Sequence, residues 1–139
     1  MEDKPLQVLL VEDNPDDVEI ARWLLKKSRL PHELHVVWDG PEALDYLFQE
    51  MPPDLILLDL HLPKKDGQQV LAEIRKHSEF RRIPIVVLTV SNAEQDIGKT
   101  LQRGVQDYLL KGQLDGKLLV RSVRDVVQEE SRANGKQTA

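Results

Sequence analysis

The chain has 139 residues, of which 40% are hydrophobic, 31% charged and only 4% aromatic, with a net charge of −5 and a pI near 5.4. That length suits one domain with a real core, and an acidic balance argues against a nucleic-acid partner, because phosphate affinity needs clustered Lys and Arg. The absence of cysteine excludes disulfides, thiolate nucleophiles and Cys-ligated metals. No apolar run approaches the roughly 20 residues of a membrane span, and Met1-Glu-Asp-Lys-Pro5 lacks the basic-then-apolar plan of a signal peptide. A cytoplasmic protein without a membrane partner is expected.

In chain order, short apolar runs alternate with longer stretches of helical spacing. The runs are Val8–Val11, His35–Trp38, Leu55–Leu58, Ile85–Leu88 and Tyr108–Leu110. The first helix follows Pro15 with Val18, Ala21, Leu24 and Leu25 on one side; the second carries Ala43, Leu44, Leu47 and Phe48, the third Val70, Leu71 and Ile74. The fourth has a thin stripe, Ala93, Ile97 and Leu101, and the fifth a fuller one, Leu118, Leu119, Val123, Val126 and Val127. Apolar positions three and four apart make the buried face of each. Pro52-Pro53, Pro84, Gly104 and Gly112 mark joins. Strands apolar throughout, such as Leu55–Leu58, belong to a parallel sheet covered on both faces. Five such units predict a doubly wound α/β domain over residues 1–130, and the polar residues 131–139 a flexible tail.

Ligands of such sheets gather beyond the carboxyl ends of the strands. There the chain places Glu12, Asp13 and Asn14 after the first strand, Asp59 after the third, Thr89 and Ser91 at the fourth, and Lys111 after the fifth. Carboxylates about 4 Å apart repel by about 4 kcal/mol at an effective dielectric near 20, so three together call for a cation. Oxygen ligands without Cys or a His pair favour a hard ion, Mg²⁺. A metal and a lysine can stabilise the charge of a phosphoryl group passing to a carboxylate, and a threonine hydroxyl can donate to it. The set reads as an aspartyl-phosphate site centred on Asp59. Singly, each residue has a plainer role: Glu12 to Asp17 as acidic capping of a helix, Asp59 and Thr89 as strand ends, Lys111 as a solvated lysine, His61 as an exposed loop residue.

Val11-Glu-Asp-Asn14, Leu57-Leu-Asp-Leu60, Pro63 with Gly67, Leu88-Thr89 and Tyr108-Leu-Leu-Lys111 resemble the receiver domains of bacterial two-component response regulators, over about residues 6 to 130. The resemblance implies a flavodoxin-like (βα)5 sandwich with parallel strand order 2-1-3-4-5. It implies Asp59 as the phosphoacceptor in transfer from a sensor histidine kinase. Asp13, Glu12, Asp59 and the backbone carbonyl of His61 would hold Mg²⁺, and Thr89 and Lys111 would contact the phosphoryl oxygens. Tyr108 would be the aromatic switch partner of Thr89, and His61, Val90 and Ser91 would tune access and lifetime. Val11-Glu-Asp-Asn-Pro-Asp-Asp17 and Leu62-Pro-Lys-Lys-Asp-Gly67 are similar to stand-alone regulators paired with bacterial phytochrome kinases. Where most receivers carry a proline joined by a cis bond after the lysine, this chain has Gly112; a non-proline cis bond costs about 2.5–4 kcal/mol, so a trans Lys111–Gly112 peptide is expected.

The weakly amphipathic fourth helix is where a shift is least costly, so signalling is expected through helix 4, strand 5 and helix 5, to a downstream protein or a homodimer. The alternative is a degenerate receiver that binds partners without phosphorylation. A phosphatase of the haloacid dehalogenase type fails because His61 stands where its second acid belongs, and no Gly-rich nucleotide motif follows the first strand.

Overall fold

The computed structural model describes residues 4–50, 52–62, 67–89, 98, 102, 104–111, 117–119 and 121–126. Its elements run β1 (Leu6–Val11), α1 (Pro15–Lys27), β2 (His32–Val37), α2 (Gly40–Gln49), β3 (Leu55–Asp59), α3 (Gly67–Lys76), a 3-10 turn (Ser78–Phe80), β4 (Ile85–Thr89) and β5 (Asp107–Leu110). Residues 117–119 and 121–126 are helical and belong to a C-terminal helix. Of the fourth helix, Gly98 and Gln102 are helical, while Ala93, Ile97 and Leu101 lie outside the described residues, as do Val127, the boundary at residue 130 and the tail 131–139.

The five strands form one parallel sheet of order β2-β1-β3-β4-β5, the expected order. Side chains of successive strand residues point to opposite faces, and both faces are apolar. Leu9, Val11, Ile56, Leu58, Ile85 and Val87 pack with Ala43 and Leu47 of α2 and Val70, Leu71 and Ile74 of α3. Val8, Leu10, Leu55, Leu57, Val86, Leu88 and Leu109 pack with Val18, Ala21, Leu24 and Leu25 of α1 and Leu119, Val123 and Val126 of the C-terminal helix. The result is a sheet between two helical layers.

Local chemistry places the helix starts. Asn14 caps α1, its Oδ1 accepting from the backbone N–H of Asp16 (2.9 Å) and Asp17 (3.4 Å), with Pro15 at the first helical position. Asp16 and Asp17 sit at the positive end of the helix dipole and Lys26 and Lys27 at the negative end. Asp39 caps α2 through the Glu42 N–H (2.9 Å), and the Glu42 carboxylate accepts from the Trp38 N–H (2.6 Å).

Two expectations need correction. β2 begins at His32 rather than His35 and ends before Trp38, which is 45% exposed. As an edge strand pairing only with β1, it tolerates the polar His32, Glu33 and His35 that obscured it in sequence. Phe48, expected on the buried face of α2, is 56% exposed. Its ring packs edge-on against His77 and Phe80 at the rim of the core, with centroids 5.0 and 5.2 Å away.

Candidate functional site

Strand alternation carries three polar residues to one place. Asp59 continues the row of Leu55 and Leu57, Glu12 the row of Val8 and Leu10, and Lys111 follows Leu109 by two, all on the α1 side of the sheet. Thr89 ends the opposite row, after Ile85 and Val87, and is fully buried beside the end of β3, where Asp59 pairs with Leu88.

Asp59 is 3% exposed. One carboxylate oxygen accepts from the His61 backbone N–H at 3.0 Å and the other from the Lys111 ammonium at 3.2 Å. Glu12, only 1% exposed, accepts from Lys111 at 2.6 Å with one oxygen and from the Asn14 N–H at 3.2 Å with the other. The three donors of Lys111 are completed by Asp17, whose Oδ2 lies 2.8 Å from Nζ.

Electrostatics follow from this burial. Desolvation is the largest influence on Glu12 and pushes its carboxyl up from 4.5 to about 7; hydrogen bonding to Lys111 opposes the rise, and the neighbouring Asp59 adds to it. Desolvation would lower the Lys111 ammonium, but its hydrogen bonds to Asp17 and Glu12 and the charge of Asp59 together outweigh that and hold it above the ordinary lysine range. The lysine is therefore a fixed positive charge.

Glu12, Asp13 and Asp59 offer ligand oxygens that all lie within 4.8 Å of one another, with Asp13 exposed and the other two buried. Three carboxylates, Glu12, Asp17 and Asp59, contact the one ammonium, and Asp13 joins two of them in the acidic group. Such a set suits a hard, oxygen-seeking cation. A cleft beside it, lined by Leu10, Glu12, Asp17, Ala21, Leu88 and Lys111, holds about 40 Å³, room for water and not for a nucleotide.

On the other side, Gly67 opens α3 directly against the end of β3: its N–H donates to the Leu60 carbonyl at 2.8 Å, and a β-carbon there would lie 2.6 Å from the Asp59 carbonyl oxygen and closer still to the Leu60 Cα. Only glycine allows this approach.

Most residues singled out in sequence thus meet. Glu12, Asp13, Asp59 and Lys111 converge, and Thr89 adjoins them. His61 is exposed and meets Asp59 through its backbone N–H. Tyr108 is half-buried in β5, opposite Val87, and packs against the core on the α2–α3 side. Val90, Ser91 and the Lys111–Gly112 peptide lie outside the described residues. Asp17 was read only as helix capping; its partner is 94 residues away, and no local spacing reports that.

Residues 8–124 match the response regulator receiver domain family. Among curated proteins the chain is similar to the response regulator Rcp1 of Synechocystis, 44% identical over 113 residues that cover 77% of each chain. Among solved structures it is similar to the phosphorylated cyanobacterial phytochrome response regulator RcpA, with a TM-score of 0.77 and 42% identity over 88% of this chain and 91% of that one. The receiver domain of the Pseudomonas aeruginosa sensor histidine kinase PA1611, solved with magnesium in its active-site cleft, superposes with a TM-score of 0.79 and 31% identity over 90% of this chain and 99% of that one.

Proposed function

The chain belongs to the response regulator receiver domain family, and from that membership we propose that it accepts a phosphoryl group on Asp59 from a sensor histidine kinase. One observation carries the reading: a nearly buried Asp59 shares a single lysine with a second buried carboxylate, beside an acidic group able to hold a metal.

A free oxygen lone pair of the Asp59 carboxylate attacks the phosphorus, a P–O bond forms, and the P–N bond to the kinase histidine breaks, its electron pair leaving with the imidazole. Glu12, Asp13, Asp59 and the His61 backbone carbonyl would hold Mg²⁺, which would supply charge to offset the phosphoryl oxygens. Lys111 donates to a second phosphoryl oxygen as a fixed cation, and the His61 N–H keeps the Asp59 carboxylate oriented. The Thr89 hydroxyl donates to a third oxygen, and Tyr108, on the neighbouring strand, follows its movement. Val90 and Ser91, together with the His61 side chain, tune access and phosphoryl lifetime. Output passes through helix 4, strand 5 and helix 5 to a downstream protein or a second copy. The similarity to the cyanobacterial phytochrome response regulator RcpA supports a phytochrome-like kinase as the partner, in the cytoplasm. Among the described residues no helix is long and apolar enough to cross a membrane.

The test is intact mass after incubation with a small phosphodonor, with and without Mg²⁺. A Mg²⁺-dependent gain of one phosphoryl group, abolished in Asp59→Asn, is the expected result. No gain from the folded, Mg²⁺-supplied protein, with none from a histidine kinase either, would replace this reading with a phosphorylation-independent binding module.

A further inference from the structure

Lys111 meets three carboxylates of unequal standing. Glu12 and Asp59 belong to the group whose oxygens lie together, along with Asp13; Asp17 does not. Asp17 comes from a different element, the first turn of α1, where Asn14 caps its backbone N–H. Its hold on the ammonium, 2.8 Å, is shorter than that of Asp59, 3.2 Å, and its side chain is only 29% exposed, so solvent screens it incompletely. A cation bound among Glu12, Asp13 and Asp59 draws on two of the three anions that hold the lysine, and like charge repels the ammonium. Asp17 is the partner that the cation leaves to Lys111.

We propose that Asp17 is a positioning residue that anchors the Lys111 ammonium from α1, keeping it in the site yet off the metal ligands, so that metal and lysine occupy the carboxylate cluster together. The inference rests on the Mg²⁺-dependent reading above. Without Asp17 the lysine falls back on Glu12 and Asp59 and competes with the cation. Asp16, the preceding residue, is exposed and carries the same charge on the same helical turn, which makes Asp16→Asn a matched control for lost charge.

Two readouts on the full chain decide the matter, and neither uses a phosphodonor, so failure of phosphorylation would not be mistaken for failure here. In metal-free protein labelled with ¹⁵N-lysine, the Lys111 ammonium, assigned by its loss in Lys111→Met, should exchange slowly with water because three carboxylates hold it. Asp17→Asn should accelerate that exchange about tenfold, while Asp16→Asn leaves it unchanged. In Mg²⁺ titrations by calorimetry, Asp17→Asn should weaken binding about fivefold more than Asp16→Asn, the worth of one partly screened ion pair. In a Lys111→Met background the two variants should weaken Mg²⁺ equally. Equal behaviour of Asp17→Asn and Asp16→Asn in either readout, or an excess loss that persists without the lysine, would overturn the proposal. Wild-type protein that binds no Mg²⁺ would overturn the reading of the site, and the ammonium exchange would still decide whether Asp17 holds Lys111.

Discussion

The two faces of the sheet support the same strand ends by different physics. On the α1 side the contacts are ionic: Glu12, Asp17 and Asp59 close on Lys111. On the α3 side the contact is steric, backbone against backbone, with Gly67 seated on Leu60 and Asp59. Behind it Arg75 donates to the carbonyls of Phe80, Arg81, Ile83 and Gly104 at 2.8–3.2 Å and ties α3 to the entries of β4 and β5. One face supplies charge that can be redistributed, and the other supplies a rigid wall that fixes where Asp59 points.

Breaking the wall should have the largest effect. Gly67→Ala forces the end of β3 away from α3 and should cost about 2–3 kcal/mol of stability, as overpacking does. It should also weaken Mg²⁺ binding; chemical denaturation and metal titration on the same variant would reveal both, and an unchanged metal affinity would separate the wall from the site. Arg75→Ala leaves four carbonyls without their shared donor and should cost about 2 kcal/mol, while a folded fraction still binds Mg²⁺ normally. Loss of metal binding in that variant would mean that the two faces are not independent.

The ionic face should respond to pH. The folded protein holds the Glu12 carboxyl near 7 against an ordinary 4.5, so it keeps a proton that the unfolded chain has released. Glu12's contribution to the stability of metal-free protein is therefore fully present below 4.5 and is lost as pH rises through about 7. Mg²⁺ needs the ionised carboxylate, so its affinity should climb across that same window and level off above it. Glu12→Gln should flatten the stability profile in melts of the metal-free protein between those limits. The smallest effect belongs to the rim: Phe48→Ser, at an exposed position whose ring only edges onto His77 and Phe80, should change stability by less than about 1 kcal/mol in denaturant titration.

The same contrast governs what could be read from sequence. Runs such as Leu55–Leu58 and Ile85–Leu88 announce a central parallel strand because both of their faces are covered, and the residue that breaks the run marks the strand's carboxyl end. Glu12 and Asp59 were legible for that reason, and Lys111 as the residue that ends the short apolar run Tyr108–Leu110. β2 was placed three residues too late at its start and one too far at its end because the polar His32, Glu33 and His35 of this strand break up the apolar run, and Phe48 was misplaced because helical spacing does not say where a stripe's edge meets solvent. Asp17 was hidden in a helix cap. Its N-terminal position explains an acid there well enough that nothing asked for a second role, and Arg75 offered no sign that its reach ends on the far side of a loop.

The distance along the chain between Asp17 and Lys111, 94 residues, has a consequence for how the protein comes into being. During synthesis Asp17 leaves the ribosome well before Lys111, and β5 must dock beside β4 before the ammonium reaches the carboxylates. Until then the growing chain carries an acidic cluster with no cation of its own, a state of long loop closure and unbalanced charge. The carboxylate cluster of Glu12, Asp17 and Asp59 is therefore among the last features of the molecule to be balanced, and a nascent chain that stalls short of β5 keeps it without its lysine.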